Sequence, residues 1–189
     1  QGLTIQVPYT YETRMSGIGE EAFHPVVWYE RLVDIPPVAD RMLLHFEGVD
    51  YEAAVYVNGA YAGGHQGGYA AFSLDITPFV QPGQNKVTVR VQDSDSVMLP
   101  RGKQRWKKEN FGCWYVQTTG IWKTVWLEAV PDCYLDHVKI TPDIDTGTVL
   151  LVAKLAGDAP ADGLRLVCEV SFQGKGVARQ EMAVPGDQL

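Results

Sequence analysis

Apolar and polar residues alternate with a period of two along much of the chain, the repeat of half-buried strands rather than the 3.6 of a helix. Residues 41–47 put Met42, Leu44 and Phe46 on one face. Residues 86–92 put Val87, Val89 and Val91 on one face and Lys86, Thr88, Arg90 and Gln92 on the other, a strand with one dry and one wet side. Residues 122–128 (WKTVWLE), rich in aromatic and β-branched side chains, read as a further strand. The turn chemistry agrees. Asn58-Gly59 predicts the tip of a hairpin spanning residues 55–61, because both residues tolerate positive φ. Gln81-Pro82-Gly83-Gln84-Asn85 stops one element and launches the Val87 strand. Residues 75–80 (DITPFV) predict one short helical turn, with Asp75 or Thr77 capping and Pro78 early. No other helix is predicted. The glycine-rich stretch 63–69 (GGHQGGY) reads as a loop where backbone passes closely or turns sharply. No helix follows it, so it lacks the N-terminus that cradles a phosphate.

Beyond Pro131 the pattern changes, and Phe172 is the only aromatic ring of a Phe, Tyr or Trp after Tyr134. Strands are predicted at 135–141, 148–155, 164–172 and 177–184, separated by turn clusters at 142–147 and 157–163. The expectation is a domain over residues 1–133 and a second over 134–189. Four strands fall short of the about seven that an immunoglobulin-like sandwich needs. The second piece therefore reads as a truncated sandwich with an edge strand open near the C-terminus.

Composition narrows the function classes. The 189 residues are 46% hydrophobic and 21% charged, which fits a globular protein and argues against disorder. The formal net charge of −7 argues against a general binder of nucleic-acid backbones. No apolar run approaches the ~20 residues of a membrane span, so no membrane partner is expected. The first residues, QGLTI, lack the basic and apolar regions of a signal peptide. Cys113, Cys133 and Cys168 fit no zinc spacing, and an odd, sparse set suggests free thiols; a cytoplasmic location is the expectation. No cofactor or metal is expected.

Against this acidic background, residues 100–122 (PRGKQRWKKENFGCWYVQTTGIW) hold five of the 16 Lys and Arg residues and three of the five Trp residues. A solvated loop that offsets acidic neighbours is one reading. Bases interleaved with stacking aromatics also suit nucleic acid, a reading the net charge opposes. Asp93-Ser94-Asp95 places two carboxylates at i and i+2 where a strand ends. They either bound the strand as an Asx-type turn or accept hydrogen bonds from sugar hydroxyls. A cation there would need more oxygen ligands than the sequence identifies. Glu20-Glu21 is the only adjacent glutamate pair, and neighbours on an extended chain point apart, so it reads as a solvated surface pair. His24, His45, His65 and His137 have no metal spacing, and no Ser/His/Asp set can be assembled.

Several of these stretches, in order, resemble the sugar-binding domain of glycoside hydrolase family 2. They are Pro8-Tyr9-Thr10-Tyr11-Glu12-Thr13, Val27-Trp28-Tyr29-Glu30-Arg31, the run 44–59 (LHFEGVDYEAAVYVNG), Asp75-Ile76-Thr77-Pro78, the run 85–91, and Thr119-Gly120-Ile121-Trp122 leading into Val125-Trp126-Leu127-Glu128. The resemblance covers roughly residues 5–133. It implies a galactose-binding-type jelly roll, followed by the start of an immunoglobulin-like domain and, in the family, a TIM barrel. The fold class is thus all-β, a jelly-roll β-sandwich followed by a partial immunoglobulin-like β-sandwich. The family's two catalytic glutamates sit on the barrel, one directly after an asparagine. This sequence has no Asn-Glu pair, so no catalytic residue is carried over.

The resemblance also offers a third reading of the basic loop: it reaches towards the barrel's active site and helps form a sugar subsite. Trp106 and Trp114 would stack on a pyranose face. Asp95, Arg101, Lys103 and Gln104 would hydrogen-bond hydroxyls or pair with barrel carboxylates, and Asp93 joins them through the strand-end pair. Arg105, Lys107 and Lys108 belong to the same run without an assigned role. The implied partners are a β-glycoside substrate and the barrel of the same protein. A stand-alone lectin-like module and a scaffold acting as a homo-oligomer contact remain the alternatives.

Overall fold

The structure, a computed structural model, describes residues 2–37, 40–158 and 163–184. Positions 159–162, within the second predicted turn cluster, lie outside the described residues. Two compact units divide the chain, Gln1–Ala129 and Val130–Leu189.

The first unit is a β-sandwich. Its larger sheet has the order β1-β7-β4-β5, built from β1 (Val26–Ile35), β4 (Glu52–Val57), β5 (Ala60–Gln66) and β7 (Gly83–Gln92). The smaller has the order β6-β2-β9, from β2 (Arg41–Phe46), β6 (Phe72–Asp75) and β9 (Val125–Val130). β3 (Val49–Asp50) pairs with β8 (Gly120–Ile121). The alternation predicted for β7 is observed, with Val87, Val89 and Val91 buried. They pack with Val55 and Val57 of β4 and with Leu44 and Phe46 of β2, so the inner faces of both sheets share one core. Each such side chain contributes roughly 1.5–3 kcal/mol when fully buried. Leu43 is also buried, on the other face of β2, which the alternation leaves wet.

The Asn58-Gly59 hairpin forms as expected, with φ of 51° and 85°. Asn58 does more than turn the chain. Its Oδ1 accepts from the Lys86 amide, and its Nδ2 donates to the Phe79 carbonyl and to Asn85 Oδ1. Asn85, 1% exposed, holds the following turn by accepting from the Gln81 amide and donating to the Gln81 and Gly83 carbonyls. Thr77–Phe79 makes the predicted helical turn, as a 3-10 element, and Asp75 Oδ1 accepts from the Thr77 amide. A second 3-10 turn, Arg14–Ser16, carries no sequence signal that predicted it.

Part of the glycine-rich stretch differs from the loop expected of it, because Gly63 and Gly64 lie inside β5. Close approach explains both glycines. A Cβ on Gly63 would meet Leu74 Cδ2 at 2.7 Å, and one on Gly64 would meet the Ala53 carbonyl oxygen at 2.6 Å. Trp122 also leaves the ladder expected for it: β9 starts at Val125, and the Trp122 indole donates to the Gly68 carbonyl at 2.7 Å.

The second unit consists of two antiparallel pairs, β10 (Cys133–Asp143) with β11 (Thr148–Gly157) and β12 (Arg165–Phe172) with β13 (Lys175–Ala183). Its wet faces carry ion pairs such as Lys154–Asp136, Arg179–Glu169 and Arg165–Glu181. None of its described residues is fully buried. Among the described residues no helix is long and apolar enough to cross a membrane.

Candidate functional site

The basic, tryptophan-rich segment links β7 to β8 at one end of the sandwich and folds back on itself. The Arg105 amide donates to the Tyr115 carbonyl at 2.6 Å, and the Tyr115 amide to the Lys103 carbonyl at 2.9 Å. Phe111 and Trp114 exchange both backbone hydrogen bonds across a tight turn. This brings three rings together: Trp106 stands edge-on to Phe111 and Trp114, with centroids 4.9 and 4.7 Å away. The Lys107 ammonium lies 4.5 Å over the Phe111 ring, within cation–π range.

Buried polar side chains pin this loop to the sandwich. Gln104 Nε2 donates to Asp50 Oδ2 at 2.6 Å, and its Oε1 accepts from the Thr118 amide. Arg105, 7% exposed, donates to Gln117, to Asn110 and to both the carbonyl and the carboxylate of Glu21. Gln117 Nε2 completes the tie by donating to the Glu21 carbonyl at 2.9 Å. Glu21, read from sequence as a solvated surface residue, is therefore the anchor that joins the N-terminal segment to the loop.

Beneath the loop lies a group of buried carboxyls. Burial pushes the Asp50 carboxyl up to about 6; the Gln104 hydrogen bond opposes this and the neighbouring Asp93 charge adds to it. Burial likewise raises Asp93 and Glu12. Asp93 accepts from the adjacent Ser94 amide and from the Thr119 hydroxyl, rather than from the amide two residues on that an Asx-type turn would use. Glu12 Oε1 accepts from the Thr119 amide, and Glu12 Oε2 makes no hydrogen bond. These groups are held inside the fold, where they position the loop rather than meet a solute.

An open cleft of about 550 Å³ lies against the outer side of the loop. Asp95, Arg101 and Trp106 line it, three of the residues singled out by sequence. Lys107, Lys108 and Arg105 add positive charge, and Glu21 adds a carboxylate. The other sequence candidates are elsewhere. Asp93 is buried with its Oδ1 3.8 Å from Arg101 Nη1. Gln104 is buried against Asp50, Trp114 backs Trp106, and Lys103 is exposed outside the cleft lining. Lys107 and Lys108 were visible in the basic run, whereas Glu21 and Gln117 carry no signal, because their role exists only once distant segments meet. Among the described residues no group of three or more His, Cys, Asp or Glu side chains is placed to hold a metal ion. A larger groove of about 890 Å³ opens beside β1, with Leu44, Phe46, Val87 and Val89 among its walls; it is a mouth of the core.

A two-sheet β-sandwich carrying a polar, tryptophan-walled cleft at one end has the make-up of a carbohydrate-binding β domain. The family model described as glycosyl hydrolases family 2, sugar binding domain, matches residues 3–131. The chain belongs to this family. It is 38% identical over 133 residues to a putative beta-glucuronidase of Formosa agariphila, covering 68% of this chain and 15% of that protein. It is 29% identical over 162 residues to a beta-galactosidase of Thermoanaerobacter pseudethanolicus, covering 82% and 21%. The solved beta-glucuronidase of Bifidobacterium dentium, complexed with coumarin-3-O-glucuronide, shares the fold with a TM-score of 0.75 at 22% identity, over 97% of this chain and 35% of that one. The chain thus spans a minor part of each of these relatives' length.

Proposed function

We propose that this chain is the non-catalytic N-terminal region of a retaining β-glycoside hydrolase, whose first unit presents the Trp106 cleft to carbohydrate and supports a catalytic barrel. The observation that carries this reading is the loop of residues 100–117, tied by Gln104, Arg105 and Gln117 so that Trp106 forms a fixed wall of a solvent-open cleft. Pyranose C–H faces suit such an aromatic wall, and Asp95 supplies an acceptor for hydroxyl groups. The hydrolytic step needs two carboxyl groups about 5–5.5 Å apart at a substrate. The carboxyls gathered in this unit are instead buried and engaged with the scaffold.

Two measurements on the 189-residue chain test this. Assays with aryl β-galactosides, β-glucuronides and β-mannosides should show no turnover above buffer, and measurable hydrolysis would refute the non-catalytic assignment. Titration with methyl pyranosides should shift the Trp106 indole resonance, and that response should vanish in Trp106→Ala. Shifts confined to other tryptophans would displace the cleft from this role.

A further inference from the structure

We propose that residues 96–118 form a flap governed by the charge on Asp50, closed over the sandwich while that carboxyl is protonated and opening more often once it is ionised. What the cleft binds does not enter into it. The flap is attached to the first unit in an unusual way. Among the described residues, every backbone–backbone hydrogen bond of this segment runs within it, as from Arg105 to Tyr115 and from Tyr115 to Lys103. Its polar ties to the sandwich are made by side chains: Gln104 to Asp50, Arg105 and Gln117 to Glu21, and Arg101 to Asp93. A segment held this way can lift while the ladders of both sheets stay intact.

Beneath it the charges do not balance. Glu12 of the N-terminal segment, Asp50 of β3 and Asp93 at the end of β7 are all buried, and Arg101 of the flap is the cation buried with them. Arg101 pairs with Asp93, with 3.8 Å between them, and among the described residues neither Asp50 nor Glu12 forms an ion pair. Asp50 takes a neutral donor instead, Gln104 Nε2 at 2.6 Å, and the Gly68 backbone closes on its Oδ1. Tyr11 and Tyr29 lie by Glu12, and burial pushes both phenols up to about 12, so they add no charge near neutral pH. A buried carboxylate without a cation gains most from water, and lifting the flap withdraws Gln104 and admits it. Asp93 opposes this, since opening parts it from Arg101. In the closed form burial raises the Asp50 carboxyl from 3.8 to about 6. In the open form it returns towards 3.8. The closed form therefore holds an extra proton from about pH 4 to pH 6, loses ground as pH rises through that window, and loses no more above it. Arg101, Arg105 and Trp106 move with the flap, so the cleft they line is complete only when it is closed.

The test is native-state cleavage of the 189-residue chain by an arginine-specific protease, with the cut sites identified by mass spectrometry. The bonds after Arg101 and Arg105, each residue 7% exposed, become accessible when the flap lifts. Dividing each rate by that of a free peptide of residues 96–118 at the same pH gives the open fraction. That fraction should rise about tenfold between pH 5 and pH 7 and then level off. Asp50→Asn should give a low, flat profile. Glu21→Gln, which weakens a tie to Arg105 at an exposed side chain, should raise cleavage by one factor at every pH and leave the rise intact. A flat profile for the parent would overturn the proposal. An unchanged rise in Asp50→Asn would also overturn it, by moving the effect to Glu12 or Asp93. If Asp50→Asn does not fold, Arg31 of β1 and Arg90 of β7 decide in the parent. Cuts there rising in step with Arg101 and Arg105 would mean unfolding of the whole unit and sink the flap; protection there while the flap is cut supports it. Since no sugar is present, failure here leaves the carbohydrate reading standing.

Discussion

Replacing Asp50 by Asn should stabilise the first unit, and only at neutral and alkaline pH. The Asp50 side chain is buried between Gln104 and the Gly68 backbone, and burial raises its carboxyl from 3.8 to about 6. A shift of that size corresponds to about 3 kcal/mol of penalty for the ionised form in the folded state. From about pH 4 to pH 6 the folded protein retains a proton that the unfolded chain has released. The stabilising contribution of the neutral acid is therefore complete below pH 4, is lost as pH rises through about 6, and is absent above. Asn cannot ionise, and its Oδ1 can still accept from Gln104. Asp50→Asn should match the parent near pH 4 and exceed it by about 2–3 kcal/mol at pH 8. Urea unfolding followed by tryptophan fluorescence measures this unit alone, because Trp28, Trp106, Trp114, Trp122 and Trp126 all precede residue 130. Glu12 and Asp93 titrate in both proteins, so the difference between the two curves isolates Asp50. A difference that does not change with pH, or a variant less stable than the parent at pH 8, would refute the assignment.

Gly120→Ala should cost about 3–5 kcal/mol, because φ is +90° and a Cβ would lie 2.0 Å from the Tyr29 hydroxyl, which itself accepts from the Ile121 amide. A melting temperature within a few degrees of the parent would show that Tyr29 can retreat. Asn85→Ala should cost about 2–4 kcal/mol, since four hydrogen bonds to Gln81, Gly83 and Asn58 are lost from a site that is 1% exposed. The same urea titration measures it, and a change below about 0.5 kcal/mol would mean that water replaces the side chain.

The strands and tight turns were legible because their causes are local. Val87, Val89 and Val91 declare a dry face within seven residues, and Asn58-Gly59 declares a turn within two. The four strands after residue 133 were read for the same reason. Leu43 was not, since burial on both faces of β2 depends on neighbours outside the strand. Gly63 and Gly64 misled because glycine suits loops by propensity, whereas here it admits Leu74 and the Ala53 carbonyl. At the site, Asp95, Arg101 and Trp106 could be picked out from a dense local cluster of bases and rings. Glu21 could not, because its partner Arg105 lies 84 residues away and nothing near Glu21 in sequence announces it. Gln104 was chosen for its polarity, yet burial against Asp50 turns that polarity inward.

The ties that close the cleft wall, Glu21 to Arg105 and to Gln117, span 84 and 96 residues. Closing such long loops is entropically costly, so the wall is assembled only when nearly all of the first unit is in place. Affinity and foldedness are then one equilibrium. A ligand seated in the cleft samples only the fraction of molecules with the wall closed, and its apparent dissociation constant grows as that fraction shrinks. A substitution deep in the sandwich, far from any sugar, can thus weaken binding without touching the cleft. Saturating ligand would in turn raise the unfolding midpoint of that same variant.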